Sequence, residues 1–398
     1  MKYVIILPDG ASDEPLPQLD GKTPLEAAAI PNIDRVAKDG RQGRSVTVPD
    51  GFIPATDVAT LSLFGYDPHR FYSGRAPIEA VAMGLDVRPD QVVFRCNFVT
   101  LEDGRMKDFT AGHITQEDSE PLIADLNREL GAEGCDFHAG VSYRNLMLLG
   151  KAEGIELTCQ PPHDIADQLV EPHWPRGKDA ERAMELMRRA EAMLKDHPVN
   201  QRRAARGDNL ATNIWLWGQG RPVTLEPFAD RFNLKGAVIT GVDIIRGIAV
   251  GMGMELIHVP GATGYIDTDY AAKGAAALRA LDDYDVVVVH VEAPDEAGHL
   301  GDAAEKVKAL ERIDQAIVGP MLEELERRGD WRLLVAPDHP TPVSTKAHSS
   351  VPPPFAYAGS DVEGGCGLGF TEKNAEECGV FLQDATDLIW EFLDRPKP

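Results

Sequence analysis

Two segments of this chain are almost wholly apolar, and they limit the fold more than any other feature. They read YDVVVVHVE at residues 284–292 and WRLLVAPD at residues 331–338. Strands that are covered on both faces read as continuous apolar runs of this kind, whereas half-exposed strands alternate polar and apolar residues. A shorter run, YVIIL at residues 3–7, opens the chain in the same way. The pattern predicts an α/β protein with a buried, parallel sheet and helices on both faces.

The middle of the chain has a different pattern. Further strands of the sheet are predicted at GRSVTV, GAVIT and LIHV. From about residue 92, however, the chain reads VVFRCNFVTL and FHAGVSYRNLMLL, followed by the amphipathic helix KDAERAMELMRRAEAMLKD. We therefore expect a discontinuous parallel-sheet domain, residues 1–87 and 236–398, with an inserted α+β domain at residues 88–235.

The composition excludes several classes of partner and compartment. The formal net charge of -24 repels nucleic acid and anionic membranes, so neither is expected as a partner. No apolar run approaches the ~20 residues that span a bilayer, and the run YVIIL is too short for an export signal. The five cysteines are dispersed without a CxxC pair, which is typical of reduced thiols. We expect a cytoplasmic protein.

Aspartates and histidines follow the three strongest predicted strands, at or just after the points where those strands end. These residues are Asp9, Asp295, His299, Asp338, His339 and His348. The carboxyl ends of parallel strands meet at one edge of a sheet, which is where ligands bind in such folds. Carboxylates and imidazoles are ligands for divalent ions such as Mn²⁺ and Zn²⁺. The sequence therefore predicts a metal site at this edge.

Each of these residues also has an ordinary structural explanation. Asp9 stands in a PDG turn, and Asp295 has the character of a helix N-cap. Turns and caps do not, however, explain six ligand-type residues at three strand ends. Asp295 and His299 are four residues apart and share a face if a helix begins there. Two further polar residues, His290 and Glu292, lie inside the predicted strand, so we expect them to support the ligands.

The stretch PATDVATLSLFGYDP offers a hydroxyl group at an expected helix start. We expect Thr56 to be the N-cap, at a position where free backbone N–H groups favour anions. A hydroxyl bound to a divalent ion loses its proton more easily and can attack phosphorus. From this stretch alone, Thr56 is either a nucleophile or a plain helix cap.

In their order and spacing, these motifs resemble the archaeal-type cofactor-independent phosphoglycerate mutases, a family of the alkaline phosphatase superfamily. The resemblance rests on PDG, TDVATLSLFGYDP, APDEAGH, PDHPTP and KAH, and continues in the middle through DFTAGHIT, HAGVSYRN, CQPPHDI and DHPVNQRR. It implies an alkaline-phosphatase-like core that holds two metal ions. The implied ligands are Asp9, Thr56, Asp338 and His339 for one ion, and Asp295, His299 and His348 for the other.

The resemblance also implies a function. Members of the family interconvert 3-phosphoglycerate and 2-phosphoglycerate, a step of glycolysis and gluconeogenesis, without 2,3-bisphosphoglycerate. Thr56 matches the nucleophile, for which many members carry serine, so a phosphothreonine intermediate is expected. The expected cofactors are two divalent ions, with Mn²⁺ favoured over Zn²⁺ or Mg²⁺. The expected partner is a small phosphorylated hydroxy acid, and the oligomeric state stays open.

The inserted domain of such an enzyme is expected to hold the carboxylate and the phosphate of the substrate. Arginine suits both groups because its guanidinium donates two parallel hydrogen bonds. The candidates are Arg75, His113, Arg144, His163, Asp164 and Arg203. We expect Arg144 and Asp164 to take part in catalysis, the latter by orienting a glycerate hydroxyl or assisting proton transfer. Each candidate is otherwise a solvated or salt-bridged residue.

Other functions stay open on the same fold. The segments IWLWGQG and DHPTPVS are closer to a bacterial subgroup that has been proposed to contain homoserine kinases. A homoserine kinase-like phosphotransferase would use the same phosphoryl-accepting site, and so would a metal-dependent phosphohydrolase. A metal-binding protein without catalysis is the alternative from another class, and it would form no phosphoenzyme.

Overall fold

The chain folds into two compact units. The computed structural model describes residues 1–131, 134–150 and 156–397. The larger unit contains Met1–Tyr72 and Thr224–Pro398, and the smaller unit contains Ser73–Val223. The larger unit is therefore discontinuous in sequence, and the smaller unit is inserted into it.

Thirteen strands occur within the described residues. In chain order they are β1 (Lys2–Pro8), β2 (Arg41–Ser45), β3 (Val92–Glu102), β4 (Arg105–Asp108), β5 (Cys135–Val141), β6 (Arg144–Leu149), β7 (Asn213–Gly220), β8 (Gly236–Ile239), β9 (Glu255–Leu256), β10 (Val286–Val291), β11 (Trp331–Val335), β12 (Pro354–Gly359) and β13 (Phe381–Leu382). Strands β3–β7 belong to the smaller unit and the others to the larger one.

The same residues contain 16 α-helices. They are α1 (Pro24–Ala27), α2 (Pro31–Asp39), α3 (Thr56–Leu63), α4 (Pro68–Phe71), α5 (Arg75–Ala82), α6 (Gln116–Leu130), α7 (Ala180–Leu194), α8 (Pro198–Arg206), α9 (Phe228–Phe232), α10 (Asp243–Gly251), α11 (Tyr270–Ala280), α12 (Ala293–Leu300), α13 (Ala303–Ile313), α14 (Gly319–Arg328), α15 (Glu372–Glu377) and α16 (Thr386–Phe392). Short 3₁₀ helices lie at Pro17–Leu19, Pro162–Ile165 and Glu171–His173. None of the helices in this described part has the length and apolar character needed to cross a membrane.

The larger unit is built around an eight-stranded sheet with the order β13-β2-β12-β11-β1-β10-β8-β9. The four adjacent strands β11, β1, β10 and β8 are parallel, with Ile6 opposite Val335 and Pro8 opposite Val291. Strand β12 is antiparallel to both of its neighbours. The carboxyl ends of the four parallel strands therefore lie along one edge of the sheet.

The central strands are buried along their whole length, as their apolar sequences predicted. Every residue of β10 and every residue of β11 is buried. Apolar residues of α2, α11, α13 and α14 join those of the strands in one core. Such a core holds the strand ends in fixed positions, because closely packed interiors deform little.

The smaller unit is an α+β structure around a five-stranded antiparallel sheet. Its order is β4-β3-β6-β5, and β7 pairs with β3. Helices α6 and α7 contribute apolar residues to the core of this unit. On α7 the buried positions include Ala183, Met187, Ala190 and Leu194, which recur at helical spacing in the sequence. The predicted fold class, a parallel-sheet core with an inserted α+β unit, is confirmed.

The boundaries between the units differ from those expected from the sequence. Residues 73–87 belong to the smaller unit because Ala76 and Ala80 of α5 pack against Val93 of β3. Residues 224–235 belong to the larger unit, where the ring of Phe232 lies 4.5 Å from that of Trp390. Periodicity reveals a helix but does not reveal which sheet the helix will cover.

The cysteines differ from the sequence-based expectation at one pair. Cys366 and Cys378 form a disulfide with a Cα–Cα distance of 5.8 Å. The expectation of five reduced thiols is therefore wrong for this pair. Cys96 and Cys135 are buried in the core of the smaller unit, where a cysteine behaves as a small apolar side chain.

Candidate metal centre

The ends of the central strands bring the three predicted aspartate ligands together. Asp9 follows β1 directly, Asp338 lies three residues after β11, and Asp295 lies in the first turn of α12, just after β10. Gly10 permits the close approach, since its φ is +59° and a Cβ there would lie 2.6 Å from Asp295 Oδ1. Segments that are hundreds of residues apart therefore meet at one edge of the sheet.

The first cluster of ligand-type side chains contains Asp9, Asp338, His339 and Thr56. His339 Nε2 lies 3.6 Å from Asp9 Oδ1, 3.3 Å from Asp338 Oδ2 and 3.3 Å from Thr56 Oγ1. The two aspartates and the histidine are buried. Their ligand atoms lie within 4.8 Å of one another, so one ion can contact all three.

The second cluster contains Asp295, His299 and His348. His299 Nε2 lies 3.1 Å from Asp295 Oδ2 and 3.0 Å from His348 Nε2. His348 Nε2 in turn lies 3.5 Å from Asp295 Oδ1. The rings of His348 and His339 are 4.1 Å apart between centroids, so the two clusters adjoin.

The hydrogen bonds of the three histidines assign their tautomers. His299 Nδ1–H donates to Lys346 O at 3.0 Å, and His348 Nδ1–H donates to Pro54 O at 3.1 Å, because a carbonyl oxygen can only accept. The hydroxyl of Thr341 donates to Asp295, so its oxygen accepts from His339 Nδ1–H at 3.3 Å. When such a ring is neutral, its lone pair is on Nε2, the nitrogen that faces the clusters, as metal ligation requires.

Two buried carboxylate oxygens of the first cluster, Asp9 Oδ1 and Asp338 Oδ2, have no hydrogen-bond partner in the part of the chain that the structure describes. The other oxygen of each carboxylate is bound: Asp338 Oδ1 accepts the N–H of Gly10 at 3.1 Å and that of His339 at 2.9 Å. A buried polar atom without a partner costs about 1–3 kcal/mol, and more for a charged group. The unpartnered oxygens and the imidazole lone pair fit a divalent cation.

The pKa values of the aspartates also reflect the need for positive charge. Burial raises the pKa of Asp9 well above its usual value, and the neighbouring Asp338 and Glu292 raise it further. In the second cluster, burial would raise the pKa of Asp295, but hydrogen bonds from two histidines lower it well below its usual value. The hydrogen bond to Asp295 raises the pKa of His299 to about 9.

Thr56 lies beside the first cluster, but it is not the N-cap of its helix. The N-cap is Ala55, in an extended conformation, and Thr56 is the first residue of α3. The prediction of a capping role is therefore wrong by one position. Its Oγ1 lies 3.3 Å from His339 Nε2. Pro54, two residues before Thr56, accepts a hydrogen bond from His348 of the second cluster.

A third group of polar side chains lies next to Asp9. His290 Nε2 is 2.8 Å from Asp9 Oδ2 and 3.6 Å from Glu292 Oε2. Burial lowers the pKa of His290 to about 3, and burial raises that of Glu292 to about 8. His290 is bound to the oxygen of Asp9 that faces away from His339, and Glu292 lies just past β10 rather than inside it as predicted. A supporting role for both side chains stays a prediction.

The loops that carry the ligands are joined by a buried ion pair that the sequence did not reveal. Lys306 Nζ of α13 donates to Asp13 Oδ2 at 2.7 Å and to Thr341 O at 2.8 Å. Both charged side chains are fully buried. The Asp13 carboxylate also accepts the N–H of Val343 at 3.1 Å. The ion pair thus fixes the loop after β1 to the loop after β11.

Comparison with known proteins identifies the family of this chain. A family model described as 2,3-bisphosphoglycerate-independent phosphoglycerate mutase matches residues 37–200. The protein of that name from Methanothrix thermoacetophila is 47% identical over 390 residues, which cover 98% of each chain. A probable mutase of the same description from Geobacter sulfurreducens is 44% identical and covers 99% of this chain and 100% of its own. The chain belongs to the 2,3-bisphosphoglycerate-independent phosphoglycerate mutase family.

Solved structures agree with this assignment. A protein from Pyrococcus horikoshii has a TM-score of 0.83 and 28% identity, covering 100% of this chain and 98% of its own. The cofactor-independent phosphoglycerate mutase from Thermoplasma acidophilum has a TM-score of 0.66 and 24% identity, covering 99% of both chains, which shows a shared fold. The predicted phosphoglycerate mutase family is confirmed.

In the smaller unit of this phosphoglycerate mutase family member, two arginines bind one partly buried glutamate, Glu79. Arg75 Nε lies 3.0 Å from Glu79 Oε1, and Arg95 Nε lies 2.9 Å from Glu79 Oε2. Burial would raise the pKa of Glu79, but Arg95 and Arg75 lower it below its usual value. Burial also lowers the pKa of Arg95 to about 10, and the positive charges of Arg75 and the exposed Arg144 favour a lower value too. Arg75, Arg95 and Arg144 form the arginine cluster of this unit.

Sequence reasoning missed Arg95, although a signal was present. Arg95 stands inside the apolar strand VVFRCNF, where an unpaired charge would be costly. Its guanidinium lies 4.2 Å from the centre of the Trp217 ring, and the ring of His163 lies 5.3 Å from the same tryptophan. Trp217 therefore connects the predicted His163 to the arginine cluster.

Asp164, His113 and Arg144, three further predicted residues of the smaller unit, are exposed. Asp164 is exposed in the 3₁₀ helix Pro162–Ile165 and accepts a hydrogen bond from Gln160 at 3.0 Å. The ring of Tyr143 lies 6.2 Å from that of His113 and 5.3 Å from the Arg144 guanidinium.

Arg203 differs from the other candidates because structural contacts take up its guanidinium. The side chain is 2% exposed. Nη1 donates to Asp118 Oδ2 at 3.0 Å, and Nη2 donates to Ala111 O at 2.6 Å and Asn209 O at 2.7 Å. We therefore leave Arg203 out of the proposed substrate clamp. The sequence RRAARG does not reveal which of its arginines lies on the buried face of α8.

Proposed function

We propose that this chain interconverts 3-phosphoglycerate and 2-phosphoglycerate without 2,3-bisphosphoglycerate, through a phosphothreonine intermediate at Thr56. The observation that carries this proposal is the convergence of three aspartates and three histidines on two adjoining clusters, beside the Thr56 hydroxyl. Membership of the family supports the same reaction, since relatives bearing that name match almost the whole chain.

We propose two divalent ions as cofactors. The ligands would be Asp9, Thr56, Asp338 and His339 for the first ion, and Asp295, His299 and His348 for the second. When bound, such ions supply positive charge that lowers the pKa of a hydroxyl and stabilises charge on phosphoryl oxygens. Mixed carboxylate and imidazole donors favour Mn²⁺, with Zn²⁺ or Mg²⁺ as alternatives.

Thr56 would exchange the phosphoryl group with the substrate. Its hydroxyl loses a proton and Oγ1 attacks phosphorus, while the bond from phosphorus to the C3 oxygen of 3-phosphoglycerate breaks and that oxygen takes up a proton. The C2 hydroxyl of the glycerate then loses a proton and attacks the phosphothreonine, which displaces Oγ1, and Oγ1 takes up a proton. No phosphate is gained or lost in this cycle, provided that water is kept from the phosphothreonine.

We propose that side chains of the smaller unit hold the charged groups of the glycerate. The proposed residues are Arg75, His113, Arg144, His163 and Asp164. Arginine and histidine would bind the carboxylate and the phosphate by charge-assisted hydrogen bonds. Asp164 accepts hydrogen bonds and would orient a glycerate hydroxyl or assist its proton transfer. The arginine cluster supports this role, because Glu79 and Trp217 fix the directions of its guanidinium groups.

We propose that the substrate is a small phosphorylated hydroxy acid and that the reaction takes place in the cytoplasm, within glycolysis and gluconeogenesis. The net charge of -24 opposes binding of nucleic acid. It does not oppose binding of a phosphorylated acid, because a local cluster of arginines such as that of the smaller unit can bind an anion within an acidic protein.

An enolase-coupled assay tests the proposal. Protein loaded with Mn²⁺ should convert 3-phosphoglycerate without added 2,3-bisphosphoglycerate. Thr56→Ala should lower kcat by at least about 10³-fold, as expected when a covalent nucleophile is removed. Thr56→Ser is the matched control, since it keeps the hydroxyl and should retain turnover. Trapping of ³²P on the wild-type chain but not on Thr56→Ala would locate the intermediate.

Two results would contradict this function. Normal turnover in Thr56→Ala would remove Thr56 as the nucleophile. No turnover of 3-phosphoglycerate by wild-type protein with both ions bound would refute the mutase reaction. Homoserine with ATP, and p-nitrophenyl phosphate, assayed in the same preparation, would then distinguish a kinase from a phosphohydrolase.

A further inference from the structure

The imidazole of His290 lies between the carboxylate of Asp9 and the end of the neighbouring strand β8. Its Nε2 is 2.8 Å from Asp9 Oδ2, and its Nδ1 is 3.2 Å from the hydroxyl of Thr240, the residue that follows β8. The side chain of His290 is 1% exposed. Both ring nitrogens are therefore held by side chains from the ends of the two strands that flank β10.

The direction of these hydrogen bonds follows from the groups involved. An Asp9 carboxylate that binds a metal ion is ionised and can only accept, so His290 Nε2–H donates to it. In a neutral ring with its hydrogen on Nε2, Nδ1 can only accept, so the hydroxyl of Thr240 donates to it, while Thr240 Oγ1 accepts the N–H of Val242 at 3.0 Å. The result is a continuous chain of hydrogen bonds from the backbone at Val242, through Thr240 and His290, to Asp9.

This series of hydrogen bonds determines which oxygen of Asp9 faces the first cluster. Oδ2 is bound by His290, whereas Oδ1 has no hydrogen-bond partner among the described residues and lies 3.6 Å from His339 Nε2. Turning the carboxylate out of this plane would break its hydrogen bond with His290. The backbone is fixed as well, since Asp9 N–H donates to Val291 O at 3.0 Å and the buried Lys273 donates to His290 O at 3.1 Å.

We propose that Thr240 and His290 are positioning residues that hold Asp9 Oδ1 towards the first metal ion. This inference rests on the proposed metal centre but concerns residues outside both ligand sets. Partners that orient a metal ligand typically contribute 10–100-fold to metal affinity, so loss of the Thr240 hydroxyl should weaken binding by about that factor. The second ion, at Asp295, should be affected far less.

The same side chains could instead bind an additional ion. Ligand atoms of Asp9, His290 and Glu292 lie within 4.8 Å of one another, and Glu292 Oε2 has no hydrogen-bond partner. An ion at that position would have to replace the hydrogen bond from His290 Nε2 to Asp9. It would also raise the metal content of the chain from two ions to three, which makes the two interpretations distinguishable.

Isothermal titration of the full-length, metal-free protein with Mn²⁺ tests the proposal. Wild-type protein should bind two ions, and Thr240→Val should bind one of them about 10–100-fold more weakly. Thr240→Ser, which keeps the hydroxyl, is the matched control and should restore most of the affinity. In the enolase-coupled assay, the Mn²⁺ concentration for half activation should rise in Thr240→Val by the same factor, while kcat at saturating Mn²⁺ changes much less.

A second pair of variants covers the case in which Thr240→Val does not fold, as judged by near-UV circular dichroism. His290→Gln keeps an N–H donor for Asp9 and should retain more Mn²⁺ affinity than His290→Leu. The positioning role would be overturned by any of three results. These are equal Mn²⁺ affinities in all variants, an equal loss of affinity for both ions, and binding of three ions by wild-type protein. Wild-type protein that binds no ion would overturn the metal centre itself, a failure that is recognisable before any variant is compared.

Discussion

Binding of the second ion should release a proton from His299. The hydrogen bond to Asp295 raises the pKa of His299 to about 9, so this imidazole is protonated at neutral pH before an ion binds. Its Nδ1 donates to a backbone carbonyl, so the proton that makes it cationic resides on Nε2. Nε2 is also the atom that lies near Asp295 and His348, so an ion can bind there only when this proton leaves.

The size of the effect follows from the pKa. At about pH 7, roughly 1 in 100 molecules has a neutral His299 if its pKa is about 9. Because the ion competes with one proton, its apparent affinity should rise about tenfold for each pH unit from about pH 7 and level off above about pH 9. Acid should therefore weaken binding of the second ion, because protonation of His299 favours its ion pair with Asp295.

Calorimetry measures the released proton directly. Titrating the metal-free protein with Mn²⁺ at about pH 7.5, in two buffers of different ionisation enthalpy, should give close to one proton for the second ion. His299→Gln should abolish this proton release and lower the affinity for the second ion. His173→Gln, which changes a histidine of the smaller unit outside both clusters, is the control. A binding heat that does not depend on the buffer, or an affinity that is flat from about pH 7 to 8.5, would refute the reasoning.

Two further predictions concern the support of the site and its specificity. Lys306→Met should lower the free energy of unfolding in urea by about 3–5 kcal/mol, because it leaves the buried Asp13 carboxylate without its cation. Lys306→Met with Asp13→Asn should lose less than the sum of the single variants, and a loss below about 1 kcal/mol in Lys306→Met would contradict this account. Arg144→Lys should raise KM for 3-phosphoglycerate by about tenfold or more with a smaller change in kcat, because lysine cannot form the paired hydrogen bonds of a guanidinium. Arg188→Lys, on the exposed side of α7, is the matched control, and an unchanged KM in Arg144→Lys would remove Arg144 from the clamp.

The strand ends are the part of the site that the sequence predicts well. Asp9, Asp295 and Asp338 each follow an apolar run, and the geometry of parallel strands requires such residues to meet. The same reasoning recovers the histidines of α12 and of the loop after β11, because short segments limit how far they can lie from the strand ends. These predictions depend only on strand direction and burial, which apolar patterns specify.

Residues that act through hydrogen bonds are harder to find in a sequence. Thr240 and Lys306 occupy ordinary positions, a residue after a strand and a residue in a helix, and only the folded chain shows their partners. Arg203 illustrates the opposite error, since it has the chemistry of a phosphate ligand but is taken up by Asp118 and two backbone carbonyls. A guanidinium that can bind a substrate can also donate hydrogen bonds to oxygens of the protein itself, and the sequence alone does not separate these two roles.

The hydroxyl of Thr341 shows why the two metal clusters have to be considered as one structure. It donates to Asp295 of the second cluster and accepts from His339 of the first, so it sets the tautomer of one ligand by binding another. His348 adds a second connection, because its ring lies against His339 while its Nδ1–H holds the backbone two residues before Thr56. A change at either cluster would therefore reach the other cluster and Thr56, the proposed nucleophile, through direct contacts. This arrangement suits a reaction in which both ions have to bind the same phosphoryl group.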